Sequence, residues 1–184
     1  MADSEPAAED ELEPHARLIE AEMARVARRK AVHEAGHCVV ALHFGWHVDL
    51  TTIDEFDKAG AHSELLHRTA DSNSRSHQAQ VTVAGALAVL IDNHWVPLPS
   101  NQDGAVVDDK FLYEVLCEAP PPIPESDRPT YREESRRAAR PILEGNWHQV
   151  EALTAALLAE TTLDRARIAA VIETAIGARR GRIS

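Results

Sequence analysis

The sequence predicts a mainly α-helical domain with a small β-hairpin or sheet. Three observations favour this fold class. Apolar residues recur at steps of three and four along most of the chain, which is the period of an amphipathic helix. Aromatic residues make up only 4% of the 184 residues, so Leu, Val, Ile and Ala must supply the core. One short segment rich in β-branched residues precedes a polar turn, and this pattern indicates a hairpin.

The first predicted helix covers residues 14–44, and Gly45 predicts its end. The segment VDLTTID, residues 48–54, predicts a strand whose hairpin partner is residues 61–66. Two roles stay open for this strand. It is either an ordinary sheet strand or an exposed strand that aligns an extended peptide by backbone pairing.

A second helix is predicted over residues 75–92, and its centre, VAGALAVLI, should be buried because it is apolar on every side. A third, over residues 105–118, ends at a run of prolines that cannot continue a helix. Three more helices are predicted over residues 130–144, 147–160 and 164–178. Thr130 and Glu133 have the spacing of a capping box, and Pro141 should kink or shorten the helix that they begin.

The charge pattern suggests how the chain is divided. Residues 1–13 carry six acids and no base, which predicts an acidic disordered tail. We expect residues 14–178 to form one domain with a Pro-rich break at 119–129, and residues 179–184 to form a short basic tail.

The whole chain has 19 Lys and Arg against 30 Asp and Glu, a net charge of -11. Such a charge repels phosphate backbones, so we expect no nucleic-acid partner.

Cysteine use and hydropathy indicate the compartment. Cys38 and Cys117 have no CxxC spacing and are too few for a disulfide framework, which favours a reducing environment. The longest nearly continuous apolar run is far shorter than the roughly 20 residues that cross a bilayer, so no membrane segment is expected. The first residues lack the pattern of a signal peptide. We therefore expect a cytoplasmic protein.

The motif that carries chemistry lies in the first predicted helix. His33, Glu34 and His37 form an HExxH pattern, and residues four apart on a helix project side by side. Two neutral imidazoles at this spacing can hold Zn²⁺, while Glu34 can act as the general base on a zinc-bound water. The pattern also arises by chance in a chain rich in His and Glu. Its apolar helical context favours a metal site, because buried polar groups need a partner.

Further blocks follow this motif in order. The stretch HEAGHCVVALHFGW is followed by VDLTTID, VTVAGALAVLI, GAVVDDKFLYEVL and LEGNWHQVEALTAALLAETTLDRARI. Together these blocks resemble the peptidase domain of FtsH-type zinc metalloproteases over residues 24–175, and HEAGH is more specific than HExxH alone. The resemblance implies a helical zincin domain with a small sheet.

The resemblance also implies the third zinc ligand. In the family this ligand is an Asp at the start of a later helix, and a placement without gaps puts Asp108 on it. Asp109 is the alternative, and Asp103 is a weaker one. Asp108 and Asp109 would also suit the positive end of a helix dipole without binding any metal.

We therefore expect an ATP-independent zinc metallopeptidase that hydrolyses peptide bonds in flexible or unfolded polypeptide. The sequence contains no Gly-x-x-x-x-Gly-Lys-Ser/Thr loop that would cradle ATP phosphates. One alternative is a non-catalytic zinc-containing interaction or regulatory module that retains the fold; another is a zinc hydrolase acting on a non-protein amide. A homo-oligomer and a separate motor or adaptor protein stay open as partners. Members of the family form rings of six subunits and carry charged residues in the helix that corresponds to residues 86–90. This chain lacks those charges, so the resemblance implies a hexamer only weakly.

Overall fold

The computed structural model describes residues 12–54, 62–66, 74–96, 108, 110, 112 and 121–181. These ranges contain five complete α-helices, three strands and one short 3-10 helix. In chain order they are α1 (Leu12–His43), β1 (His47–Thr52), β2 (His62–Leu66), α2 (Ser74–Asp92), the 3-10 helix (Glu125–Asp127), α3 (Arg128–Gly145), α4 (Trp147–Glu160), β3 (Thr162–Asp164) and α5 (Arg165–Arg180). The predicted class, mainly helical with a small sheet, is confirmed.

Helix α1 runs through the middle of the core. Its C-terminal part is buried from Ala31 to Ala41 on most sides, because α2, α4 and the sheet pack around it. Its N-terminal part is different, since Leu18, Ile19 and Met23 are exposed there. The spacing of the apolar residues therefore predicts the helix correctly over its whole length, but these residues are buried in the core only in its second half.

Gly45 ends α1, as the sequence predicts. Its φ of 73° is left-handed, a conformation that glycine adopts without a side-chain clash. The Gly45 N–H donates to the Leu42 carbonyl and the Trp46 N–H to the Ala41 carbonyl, which is the pattern of a Schellman cap. This turn buries Trp46 and starts β1 one residue later.

The sheet is antiparallel with the strand order β2-β1-β3. Strand β1 is therefore central, and both of its edges are paired. Of the two roles left open for residues 48–54, the structure supports the ordinary sheet strand. Strand β3 was not predicted, because three residues are too few to show a period of two.

Helices α1 and α2 approach each other closely at small residues. A Cβ at Gly36 would lie 2.7 Å from both the Ala84 carbonyl oxygen and the Ala88 Cβ. The centre of α2 is buried at nearly every position from Ala79 to Val89, which confirms the prediction from its uniform apolar sequence. None of the described helices combines the length and the apolar character needed to cross a bilayer.

The capping box predicted in the second half of the chain is wrong. Helix α3 begins at Arg128 after the 3-10 helix, so Thr130 lies inside it and forms no capping box; Asp127 is the N-cap. Of the two effects expected of Pro141, shortening does not occur, since the helix continues through this residue to Gly145. Helix α5 agrees better with its prediction, since the Asp164 side chain caps it by accepting from the Arg167 N–H.

Some predictions fall on residues outside the described ranges. The predicted helix 105–118 is described at Asp108, Lys110 and Leu112, and all three are helical. The acidic segment 1–13 is described only from Leu12, where α1 starts. At the other end α5 reaches Arg180, and residues 182–184 lie outside the description.

Candidate metal centre

Helix α1 places the two histidines of the motif side by side. The Nε2 atoms of His33 and His37 lie 3.0 Å apart, and their rings meet edge to face. Their side chains are each only 11% exposed. One turn of helix thus directs two imidazole nitrogens to the same point in a nearly closed site.

A backbone carbonyl of α2 fixes the orientation of His37. The His37 Nδ1 lies 2.7 Å from the Val81 carbonyl oxygen. Because a carbonyl only accepts, Nδ1 must carry the hydrogen, and in the neutral ring Nε2 then keeps its lone pair. Metal-binding histidines are commonly held in this way by a partner on their other nitrogen.

Asp108 brings a carboxylate to the same point. Its Oδ2 lies 3.3 Å from His33 Nε2, and its Oδ1 lies 3.4 Å from His37 Nε2. Charge-assisted hydrogen bonds are usually shorter, about 2.7–2.9 Å. Ligand atoms about 2.0–2.1 Å from a tetrahedral Zn²⁺ are separated by about 3.3–3.4 Å, so the spacing suits shared coordination better than direct pairing.

Gly85 of α2 leaves the space in which these groups meet. A Cβ at this position would lie within 2.6 Å of His33 Nε2 and closer still to His37 Nε2. Two buried side-chain atoms of this cluster, His33 Nδ1 and Asp108 Oδ2, have no hydrogen-bond partner among the described residues. The donor set of two imidazoles and one carboxylate, with ligand atoms within 4.8 Å of one another, fits Zn²⁺.

The protonation of the metal-free cluster follows from its burial and charges. Burial alone would lower the pKa of His37, but the nearby Asp108 carboxylate, with smaller contributions from Glu34 and the Val81 carbonyl, raises it to about 9. Burial opposes ionisation of Asp108, but the neighbouring His33 and His37 hold its pKa well below the usual range. A proton therefore occupies the cluster at neutral pH, and a metal ion would displace it.

Glu34 lies on α1 between the two histidines and is buried. Its Oε2 accepts a hydrogen bond of 2.7 Å from the Ser63 hydroxyl on β2. Its charge is close enough to contribute to the raised pKa of His37. The sheet thus holds the Glu34 carboxylate, which lies on α1 next to the two candidate metal ligands.

Cys38, next to the second histidine, is fully buried. Burial is the main cause that raises the pKa of its thiol to about 12, so the thiol stays protonated. A protonated thiol is a poor metal ligand and a poor nucleophile. Among the residues described, Cys38 does not belong to the group of convergent ligand atoms.

The structure brings together His33, His37 and Asp108 from segments far apart in sequence, while Asp103 and Asp109 lie outside the described residues. The sequence reasoning missed Gly85, Val81 and Ser63. A glycine inside an apolar helix indicates close approach of another group, so Gly85 could have been recognised from the sequence. The roles of the Val81 carbonyl and the Ser63 hydroxyl depend on tertiary packing, and no sequence pattern indicates them.

The sequence was also compared with known proteins. It matches no protein-family model, and the comparison with curated proteins gives no match either.

Proposed function

We propose that this chain is a zinc metallopeptidase of the FtsH-peptidase type that cleaves flexible or unfolded polypeptide. The observation that carries the proposal is the convergence of His33, His37 and Asp108 beside Glu34. A Zn²⁺ held by the first three residues would polarise the scissile carbonyl and make water easier to deprotonate. The resemblance of the sequence blocks to that family supports the same reading.

Each protein group then has a defined task. The Val81 carbonyl holds the His37 ring with Nε2 turned to the cluster. Glu34 accepts the proton of the attacking water and passes it to the leaving amine, which is the work of a general base and then a general acid. The low exposure of the cluster limits competing water and strengthens these electrostatic interactions.

The sheet supports an extended polypeptide as the substrate. Strand β2 is an edge strand of the described sheet, and its Ser63 touches Glu34. A peptide that pairs with the edge of β2 would run close to the cluster. This role belongs to β2 instead of β1, whose two edges are already paired.

Substitution of Glu34 tests the reaction. The change Glu34→Gln keeps the size of the side chain but removes the base, so it should retain zinc and lower hydrolysis of a disordered polypeptide by about 10²–10⁴-fold. Glu144→Gln, on the exposed side of α3, is the matched control and should leave the rate unchanged. Zinc content is measured on each purified protein by mass spectrometry.

Two outcomes would contradict the proposal. Equal rates for wild type and Glu34→Gln would assign the cleavage to a contaminant or to another mechanism. A wild-type protein that binds zinc without hydrolysing any peptide would favour the non-catalytic interaction module.

A further inference from the structure

The sheet face that covers α1 carries a pair of hydroxyl groups. In the register of the sheet Thr51 lies opposite Ser63 on one side and opposite Leu163 on the other. Residues directly opposite in neighbouring strands have side chains on the same face. Thr51 and Leu163 are fully buried, so this face is the one packed against the core. The register therefore fixes the Ser63 hydroxyl beneath α1.

The direction of the hydrogen bonds follows from counting protons. Ser63 Oγ lies 2.7 Å from Glu34 Oε2, and its one proton goes to the carboxylate, which only accepts. Thr51 Oγ1 lies 2.9 Å from Ser63 Oγ, and since the Ser63 proton is already used, Thr51 is the donor in this contact. The Cys38 sulfur lies 3.6 Å from the same Ser63 oxygen. A short chain of donors thus runs from Thr51 through Ser63 to Glu34.

We propose that Ser63 is a positioning residue for Glu34, and the proposal rests on the peptidase function proposed above. The hydroxyl occupies Oε2 and holds the carboxylate in one orientation, so Oε1 is the oxygen that takes the proton of the attacking water. A Glu side chain has three rotatable bonds, and a base displaced by about 1 Å can lose a large part of its rate. Thr51 supports Ser63 and acts one step further from the reaction.

Kinetics of the zinc-loaded protein provide the first test. Ser63→Ala should lower kcat for a disordered polypeptide by about ten- to a hundredfold, with KM changed by less than about threefold and zinc content unchanged. Ser63→Thr keeps a hydroxyl and should restore most of kcat. Thr51→Val should lower kcat by less than Ser63→Ala does.

Thr52→Val is the matched control. Thr52 lies next to Thr51 on β1 and is equally buried, but its hydroxyl pairs with Thr162 and the Thr161 carbonyl and does not contact Glu34. This variant loses a buried hydroxyl of the same sheet and should keep the wild-type kcat. If Thr52→Val and Ser63→Ala lower kcat equally, the effect is general destabilisation of the sheet and the proposal is wrong.

A second readout needs neither zinc nor activity. In metal-free protein, the effects of Ser63→Ala and Glu34→Ala on the unfolding equilibrium constant should be non-additive by about tenfold or more, because each removes the same charge-assisted hydrogen bond. Additive effects would overturn the proposal. Strong coupling together with an inactive wild type would leave the hydrogen bond in place but reject the peptidase function, and with it the role of Ser63 in positioning the base.

Discussion

At the scale of single residues, Gly85 leaves room for the imidazoles of His33 and His37 because it has no side chain. Gly85→Ala would put a methyl group within 2.6 Å of His33 Nε2. We expect this variant to bind Zn²⁺ at least about tenfold more weakly, because the rings must move apart to admit the methyl group. The measurement is a zinc titration with a competing chelator.

The control for this prediction is Gly177→Ala. Gly177 lies within α5, and a Cβ there would contact nothing within 4 Å. The substitution should leave zinc affinity unchanged. If Gly85→Ala also binds zinc as tightly as the wild type, the close approach of α2 does not shape the site.

Because of the His37–Asp108 pair, we expect the affinity of the cluster for zinc to depend on pH. With its pKa raised to about 9, His37 holds a proton at neutral pH that zinc must displace. Zinc affinity should therefore rise by about tenfold per pH unit between about pH 7 and 9 and level off above. Calorimetric titrations in buffers of different ionisation enthalpy should detect about one released proton at pH 7; release of none would contradict the raised pKa.

The stability of the metal-free protein should change in the opposite sense over the same range. A raised histidine pKa stabilises the fold fully below the unfolded value of about 6.5, and this contribution is lost as the pH rises through about 9. The lowered pKa of Asp108 stabilises the fold above about pH 4 and is lost in acid. Zinc removal should thus leave a protein whose stability from this pair is greatest near pH 4–6.5.

Residue roles differed in how far the sequence revealed them. His33, Glu34 and His37 could be grouped from sequence because a helix alone sets their relative positions. Asp108 could be proposed only through the family resemblance, since its place depends on how distant segments fold together. Ser63 had no local signal, because its contact with Glu34 requires both the β1–β2 register and the packing of the sheet on α1.

At the scale of elements, the crossing of α1 and α2 determines the geometry of the centre. Gly36→Ala would place a methyl group against the Ala84 carbonyl, and backbone cannot yield as a flexible side chain can. Alanine favours a helix by up to about 1 kcal/mol over glycine, but overpacking costs about 1–3 kcal/mol. We expect a net loss of about 1–2 kcal/mol in the free energy of unfolding, measured by urea denaturation.

Gly177→Ala again provides the comparison. It gains the helix propensity without the clash and should stabilise the protein by about 0.5–1 kcal/mol. A stabilised Gly36→Ala variant would show that the two helices can separate without loss. Arg28 and Asp92, an ion pair of 2.6 Å that links the same helices, lie partly in solvent and should contribute far less.

The helices are the elements that the sequence predicted best. All five fully described helices lie within about two residues of their predicted bounds, because many apolar positions define each of them. Local signals failed where tertiary context prevailed: α3 starts upstream of Thr130, directly after the 3-10 helix, and Pro141 does not shorten it. Strand β3 exists because β1 offers it a partner, which no local pattern reveals.

At the scale of the whole molecule, the candidate centre lies where α1, α2, the helical segment at Asp108 and the sheet meet. Its residues are nearly closed off from solvent, and the neighbouring strand β2 is short. Under the proposed peptidase function, a polypeptide substrate must present an extended backbone to this centre, and a tightly folded protein offers one only after local opening. The sequence contains no phosphate-cradling loop through which this chain could drive that opening with ATP.

We therefore expect the purified chain to cleave a disordered polypeptide at a rate that ATP does not change, and to leave a tightly folded domain intact. The two substrates should be assayed side by side, each with and without ATP, and Glu34→Gln should abolish any cleavage that belongs to this site. A destabilised variant of the folded substrate completes the design: its cleavage rate should follow the fraction of locally opened molecules, since opening limits access. Rapid digestion of the stable domain, or acceleration by ATP alone, would contradict the prediction, because the chain would then unfold its substrates itself.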